Sequence, residues 1–416
     1  MPTVAYLANQ FPSSVEPYVV EEIGELRRRG ATVIAGSIRQ EESGLRPESV
    51  DGTTSVLCFE PIQWIMLFKA LGLMVTRWNQ IGPFVKRALW QGKEPAARRF
   101  KALLHTWLGA YYALLLKRHG RIQHIHVHHG YFGSWVGMVA ASLLDVGFSL
   151  TLHGSDLLIH RAYIDTKLDR CKFCVTISEH NRRHILENCP SARGHGIFVS
   201  RMGVDAERIR APAYGRSRGK GRFNLLTAGR LHPVKNHAFL IAACAQLRDS
   251  GMDFECSIAG SGPERMRLEN QIAKHQLQDR VKLLGHLPHA AMDSVYRSAD
   301  LFVLTSLSEG IPLVLMEAMA CGTAVLAPEI TGIPELVTAG KSGFLYKAGS
   351  LQEFVRGIRF FERLMREDGR SGSRLSWIRH AAQVQVRRNF NRQENMGRFA
   401  DMFLQLVVSK DRSLWR

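Results

Sequence analysis

Short apolar runs alternate with longer amphipathic stretches along this chain, and they do so in two separate series. The runs at 3–8, 31–37, 123–128 and 148–152 have the length and branched-residue content of buried strands, with helical periodicity between several of them. A second series lies at 224–228, 255–259, 281–284, 301–305 and 324–327, again alternating with helical segments. Such alternation predicts α/β architecture with two mostly parallel sheets. Between the series, residues 205–222 are rich in Gly, Pro, Ala and Arg and break the periodicity, so the linker is placed there. Residues 376–416 read as helical, with Phe390, Phe399, Met402, Phe403 and Leu406 supplying an apolar face. Two open α/β domains joined in this way are expected to enclose a cleft, with ligands beyond the carboxyl ends of the strands.

Composition narrows the class of protein. The 416 residues, 45% of them apolar, suffice for two ordinary cores. Lys and Arg total 55 against 37 Asp and Glu, a formal charge of +18, which points to an anionic partner without choosing among nucleic acid, membrane and phosphorylated ligand. Seven scattered cysteines suit reduced thiols, and C-K-F-C at Cys171 and Cys174 lacks the second pair that a zinc site needs. The N-terminus shows no basic leader or cleavage site, and a cytoplasmic location is expected. Residues 64–75 are apolar apart from Lys69 but too short to span a bilayer. Cations follow at Arg77, Lys86, Arg87, Lys93, Arg98, Arg99 and Lys101, a pattern open to two readings: peripheral contact with an anionic membrane, or a core helix with a solvated basic neighbour.

The densest chemistry lies in E-G-I-P-L-V-L-M-E, residues 309–317, where two carboxylates stand eight positions apart after an apolar strand. A helix starting near Ile311, with Pro312 in its first turn, sets Glu309 just before the N-terminus and Glu317 about two turns inside, roughly 12 Å away if all of it is helical. Free N–H groups of the first turn between them attract anions. A diphosphate flanked by two hydroxyl-bearing groups fits this layout. Spacing alone leaves open a plain capping role for Glu309 and a solvated one for Glu317. The separation exceeds the roughly 5 to 9.5 Å of glycosidase carboxylate pairs, which argues against hydrolysis.

Other candidates fall after strands. G-R-L-H-P-V-K places Arg230 and Lys235 beyond a strand, where either can neutralise a departing diphosphate. A-G-S-G-P supplies Gly260, Ser261 and Gly262, small residues that let a ligand approach the backbone, although a lone G-x-G is often only a turn. T-L-H-G-S-D-L sets His153 and Asp156 after a first-domain strand, where the histidine could donate to a sugar hydroxyl or to a carbonyl. H-V-H-H, with His126, His128 and His129, is read as structural for want of a metal-binding partner.

Together these residues resemble glycosyltransferase family 4, retaining enzymes of GT-B architecture. The signature E-x7-E is Glu309 to Glu317 within S-L-S-E-G-I-P-L-V-L-M-E-A-M-A-C-G-T-A-V-L-A, supported in order by G-R-L-H-P-V-K, A-G-S-G-P, L-G-H-L-P and G-I-P-E. F-P-S-S-V-E-P-Y-V-V-E-E-I resembles, more loosely, the opening of a bacterial surface-polysaccharide branch. The resemblance implies two Rossmann-like domains facing across a cleft: an acceptor domain over 1–208, joined by helix 388–416, and a nucleotide-sugar domain over 209–387. It further implies that Arg230 and Lys235 bind the diphosphate, Glu317 the ribose and Glu309 the transferred sugar. Backbone of Gly310, Ile311, Pro312 and Leu313 would complete the sugar site, His153 would act through the sugar's hydroxyls, and the base would lie near Gly285 and His286. Two departures stand out: Asn236 follows Lys235 where Gly is common, and the segment 10–16 lacks the paired glycines of many relatives.

The expected activity is transfer of a hexose, with retention, from a UDP- or GDP-sugar to a glycan or polyprenyl-diphosphate-linked acceptor in exopolysaccharide, capsule or lipopolysaccharide synthesis. No D-x-D is present, so no metal and no further cofactor are expected. A nucleotide-sugar epimerase is the principal rival, disfavoured by the E-x7-E context. Nucleic-acid binding is weaker still, since no recognisable module accompanies the charge.

Overall fold

The computed structural model describes residues 1–13, 17–39, 57–91, 94–158, 162–205, 221–367 and 374–409. The chain forms two compact units, Met1–Ser200 with Met396–Arg416, and Arg201–Asn395. Residues 206–220, most of the expected linker, lie outside the described residues, as do 14–16 of the segment expected to meet the acceptor and Lys93.

In the first unit the strands are β1 (Thr3–Gln10), β2 (Thr32–Arg39), β3 (Leu57–Cys58), β4 (His124–His128), β5 (Gly147–Leu152), β6 (Phe173–Thr176) and β7 (Gly196–Val199). All pair in parallel, in the order β3-β2-β1-β4-β5-β6-β7. Parallel strands need crossovers, and the crossover helices cover both faces, so strands such as β4 are buried throughout. One face packs on helices that contribute Tyr111, Tyr112, Trp135 and Val139. The other packs Tyr6, Ile23 and Phe173 against Phe399, Phe403 and Leu406 of helix Arg392–Val408.

The second unit holds β8 (Phe223–Ala228), β9 (Phe254–Ala259), β10 (Val281–Gly285), β11 (Leu301–Val303), β12 (Ala324–Pro328) and β13 (Phe344–Tyr346), ordered β10-β9-β8-β11-β12-β13. Each sheet therefore winds outward from its first strand in both directions. The reversal falls between β1 and β4 in one unit and between β8 and β11 in the other. At such a point the loops leaving adjacent strands diverge to opposite faces and leave a crevice.

Three expectations change. The C-terminal region is two helices, Arg374–Asn389 and Arg392–Val408, and the expected single apolar face is divided between them. Phe390 enters the second unit's core, whereas Phe399, Phe403 and Leu406 enter the first. The division of units lies at Ser200/Arg201 and Asn395/Met396 instead of 208/209 and 387/388. A bridge between Val204 and Asn391, with Val204 N–H donating to Phe390 O at 3.0 Å, ties 201–205 to the second unit.

Gly260 and Gly262 lie just after β9. Both have positive φ, 143° and 154°, and a Cβ on them would meet Gly229 O at 1.9 Å and Leu231 O at 2.5 Å. What approaches these glycines is the protein's own loop after β8, held by Gly229 N–H to Ala259 O at 2.9 Å and Leu231 N–H to Ser261 O at 2.8 Å. Gly260→Ala is therefore expected to destabilise the second unit by ~3 kcal/mol. Gly24→Ala, in helix Pro17–Arg28 with nothing within 4 Å, should be neutral or stabilising by about 0.5–1 kcal/mol. Urea unfolding of the two variants checks both.

Candidate active site

At the switch point of the second unit, the loop after β8 tightens into a short 3₁₀ turn, Pro233–Lys235, and enters helix His237–Asp249 through Asn236. Asn236 has φ +53°, a left-handed conformation that asparagine tolerates better than most residues. That accommodates the departure from glycine at this position. Lys235 Nζ donates to Glu309 Oε1 at 2.5 Å, and the two side chains are 18% and 11% exposed. Thr305 Oγ1 donates to Lys235 O at 2.9 Å, and Leu307 N–H to Val234 O at 2.8 Å, so the loop after β11 is bonded along the loop after β8.

Beyond Glu309 the chain is held from the other side. Thr331 Oγ1 donates to Glu309 O, and Gly332 lies so close that a Cβ there would meet Gly310 O at 2.6 Å. The helix is Leu313–Ala320, with Pro312 extended at its N-cap. It thus starts two residues later than expected, because Pro312 adopts ψ 124°. Glu317 sits little more than one turn inside, and Ile311 and Pro312 are buried beneath the loop. Pro312 O accepts from Leu315 N–H at 3.1 Å, which leaves the N–H groups of Leu313 and Val314 at the positive end of the helix.

Glu317 has a partner that sequence reasoning missed. Tyr296 Oη, from helix His289–Ser298, donates to Glu317 Oε2 at 2.7 Å, and His289 Nδ1 stands 3.8 Å from Oε1. Burial raises the Glu317 carboxyl above its usual range, although the tyrosine bond pulls the other way. No motif announces Tyr296: its role arises from packing between neighbouring helices. Arg230 and His286 are exposed just beyond β8 and β10, and Arg230 has no ion-pair partner among the described residues. Lys235, Glu309 and the start of helix Leu313–Ala320 are thus brought together at one switch point, with Arg230 and His286 on loops at the same edge of the sheet.

His153 belongs to the first unit, after β5. Its Nε2 lies 3.2 Å from His128 Nε2, and Asn181 Nδ2 donates to its carbonyl at 2.5 Å. Asp156 organises the turn by accepting from Gly130 N–H at 2.9 Å, Gly154 N–H at 2.9 Å and His153 N–H at 3.1 Å. Burial alone would raise the Asp156 carboxyl, but bonds from His129 and the Gly130 N–H hold it well below the usual carboxylate range. His124, His126 and His128 project to one face of β4, and Ser149 Oγ lies 2.7 Å from both His124 Nε2 and His126 Nδ1. The H-V-H-H run is thus a buried, hydrogen-bonded row. Cys171 and Cys174 are free thiols in the core. Two further groups escaped the sequence reading: Glu22, bonded by Tyr6 Oη and 3.7 Å from His128, and Lys167, whose Nζ donates to Gly130 O at 2.6 Å.

Two doubly wound sheets in one chain, with charged groups at a switch point, define the GT-B class of fold. Solved structures agree along nearly the whole length. A sucrose-phosphate synthase from Thermosynechococcus elongatus superposes with TM-score 0.70 at 16% identity, covering 98% of this chain and 99% of its own. Anabaena HepE in complex with UDP gives 0.68 at 18%, covering 97% and 100%. Residues 216–379 match the family described as glycosyl transferases group 1. A putative colanic acid biosynthesis glycosyltransferase, WcaL, of Salmonella typhimurium is 34% identical over 216 residues, 49% of each chain. An amylovoran biosynthesis glycosyltransferase, AmsK, of Erwinia amylovora is 32% identical over 240 residues, 54% of this chain and 58% of its own. The chain spans about half the length of the curated relatives it matches.

Burial pushes the Glu22 carboxyl up to about 8, against the pull of the Tyr6 bond. Between 4.5, its ordinary value, and about 8 the folded state keeps a proton that the unfolded state releases, so stability falls as pH rises through that window. Burial lowers His126 and His153 from 6.5 to about 3, so their contribution is lost in the opposite direction, as pH falls below 6.5. Glu22→Gln is expected to flatten the decline of the urea midpoint between about pH 6.5 and 8. An unchanged slope would mean that Glu22 is already ionised in the folded protein.

Proposed function

We propose that this protein is a retaining hexosyltransferase that moves a sugar from UDP or GDP to a hydroxyl of a growing, lipid-linked polysaccharide. The observation that carries this reading is the Lys235–Glu309 pair at 2.5 Å on the switch point. Without ligand the two side chains neutralise each other. An arriving diphosphate competes for the lysine, with Arg230 adding a second cation, and frees the glutamate to accept from sugar hydroxyls. N–H groups at the helix start, with the backbone of Gly310 to Leu313, border the same place. Glu317, steadied by Tyr296, is assigned to the ribose hydroxyls, and the loop at Gly285 and His286 to the base. His153 is assigned to the reacting sugar through its hydroxyls. The UDP complex of HepE supports a uridine donor, and the names of WcaL and AmsK support an exopolysaccharide product.

In this reading the departing phosphate oxygen takes the acceptor's proton on the face it leaves, so the configuration at the sugar is kept and no protein nucleophile is needed. Cationic side chains and the helix N-terminus carry the leaving charge, so turnover should persist in a chelator. The polyprenyl-diphosphate acceptor places the reaction at the cytoplasmic face of the membrane.

Nucleotide release from UDP- and GDP-sugars, measured with and without extracted lipid acceptors, tests the activity, and NMR of the product reads its anomeric configuration. Acceptor-dependent release with retained configuration is expected, whereas isomerised nucleotide-sugar or inversion would overturn the proposal. Lys235→Ala and Glu309→Gln should each lower kcat by about a hundredfold or more. Glu317→Ala should raise the KM for the nucleotide-sugar by roughly tenfold or more through loss of charged hydrogen bonds. Unchanged donor affinity in that variant would break the division of roles between the two glutamates.

A further inference from the structure

Ten of the sixteen large apolar side chains exposed among the described residues lie between residues 64 and 104, about a tenth of the chain. Nine fall on three consecutive helices of the first unit, Trp64–Thr76, Trp78–Leu89 and Ala96–Lys117, and Trp90 lies directly after the second. The first is apolar on two sides. Its inner side buries Met66, Leu67 and Ala70, and Trp107 Nε1 of the third helix donates to Leu67 O at 2.9 Å. Its outer side carries Trp64, Phe68, Leu71 and Val75 at spacing i, i+4, i+7, i+11, a single stripe that is 65%, 63%, 42% and 74% exposed. Trp78 and Phe100 extend the exposed aromatic surface onto the next two helices, and Trp90 onto the turn between them.

A stripe of this kind is ordinarily buried, because each large side chain left in water forgoes about 1.5–3 kcal/mol. Charge identifies what covers it. Between residues 64 and 104 the sequence has eight cations and a single carboxylate, Glu94. That carboxylate is bonded by Arg87 at 3.0 Å. Lys69, Arg77, Lys86, Arg98 and Lys101 remain exposed. A second copy of the chain would bring like charges together around the stripe, whereas an anionic lipid surface complements them and accepts tryptophan and phenylalanine at its interface. The first helix has 13 residues, and no helix among the described residues is long and apolar enough to cross a membrane, so the stripe lies along the surface instead of through it.

We propose that the outer face of these three helices is a docking surface for an anionic phospholipid bilayer, with Trp64, Phe68, Leu71 and Val75 entering the interface and the flanking cations meeting the headgroups. The proposal deepens the reading of a lipid-borne acceptor, yet it stands on residues outside the candidate active site. Its test requires no turnover, so its failure and the failure of the proposed activity can be told apart.

The test is sedimentation of the full chain with vesicles of phosphatidylcholine alone or mixed with phosphatidylglycerol, at low and high salt. Wild-type protein should sediment with the mixed vesicles, less so at high salt, and little with phosphatidylcholine alone. Trp64→Ser combined with Phe68→Ser should weaken partitioning by about tenfold or more while the thermal melt is unchanged, since both side chains are already in water. Lys69→Glu with Arg77→Glu should abolish the preference for phosphatidylglycerol. Wild-type protein that stays in solution with mixed vesicles at low salt, or a serine double variant that sediments as well as wild type, would overturn the proposal. So would a wild-type dimer, seen by analytical ultracentrifugation, that the serine variant converts to monomer, because the stripe would then belong to a second copy.

Discussion

A lysine and a glutamate 74 positions apart meet at 2.5 Å where the second sheet reverses direction. Two partly buried opposite charges are costly to bring out of water, and removing either would strand the other. Their loops are built to hold them. Thr305 and Leu307 bond to the backbone of Val234 and Lys235, Thr331 bonds to Glu309 O, and Gly332 allows the next loop to close on Gly310. The neighbouring loop after β9 can lie against the loop after β8 only because Gly260 and Gly262 carry no Cβ. The pair is thus pre-formed by its surroundings.

The first unit handles polarity by the opposite means. Its switch region gathers histidines that burial keeps neutral, bonded to Ser149, Thr151 and one another. Asp156 stays ionised among them because three backbone N–H groups and His129 surround it, and it fixes the turn that carries His153. Glu22 is pushed toward neutrality by the same burial that it shares with Tyr6. One unit presents a paired lysine and glutamate at its strand ends, while the other presents an uncharged histidine. Both use the carboxyl edge of a parallel sheet, where the chain leaves each strand.

Much of this was legible along the chain. Buried parallel strands are nearly continuous apolar runs, so the central strands of both sheets stood out, while short edge strands such as β3 and β13 did not. Arg230 and Lys235 were visible because each follows a strand at short range, and Glu309 and Glu317 because of their spacing across a helix start. Tyr296 and Glu22 were not, since their partners come from separate helices and strands through packing. The two glycines of A-G-S-G-P are visible in the sequence, but the close approach of the loop after β8 to them is not, because that contact is tertiary.

The sequence by itself determined two α/β units, the order of their strands along the chain and the pair of glutamates framing a helix start, because periodicity and spacing are local quantities. Tertiary structure alone decided that Lys235 is the partner of Glu309, that Tyr296 steadies Glu317 and that Phe390 and Phe403 serve different cores. It also decided that Trp64, Phe68, Leu71 and Val75 face water, while Met66, Leu67 and Ala70 of the same helix do not. An apolar helix has no sequence mark for which side is covered; that depends on where its neighbours run out.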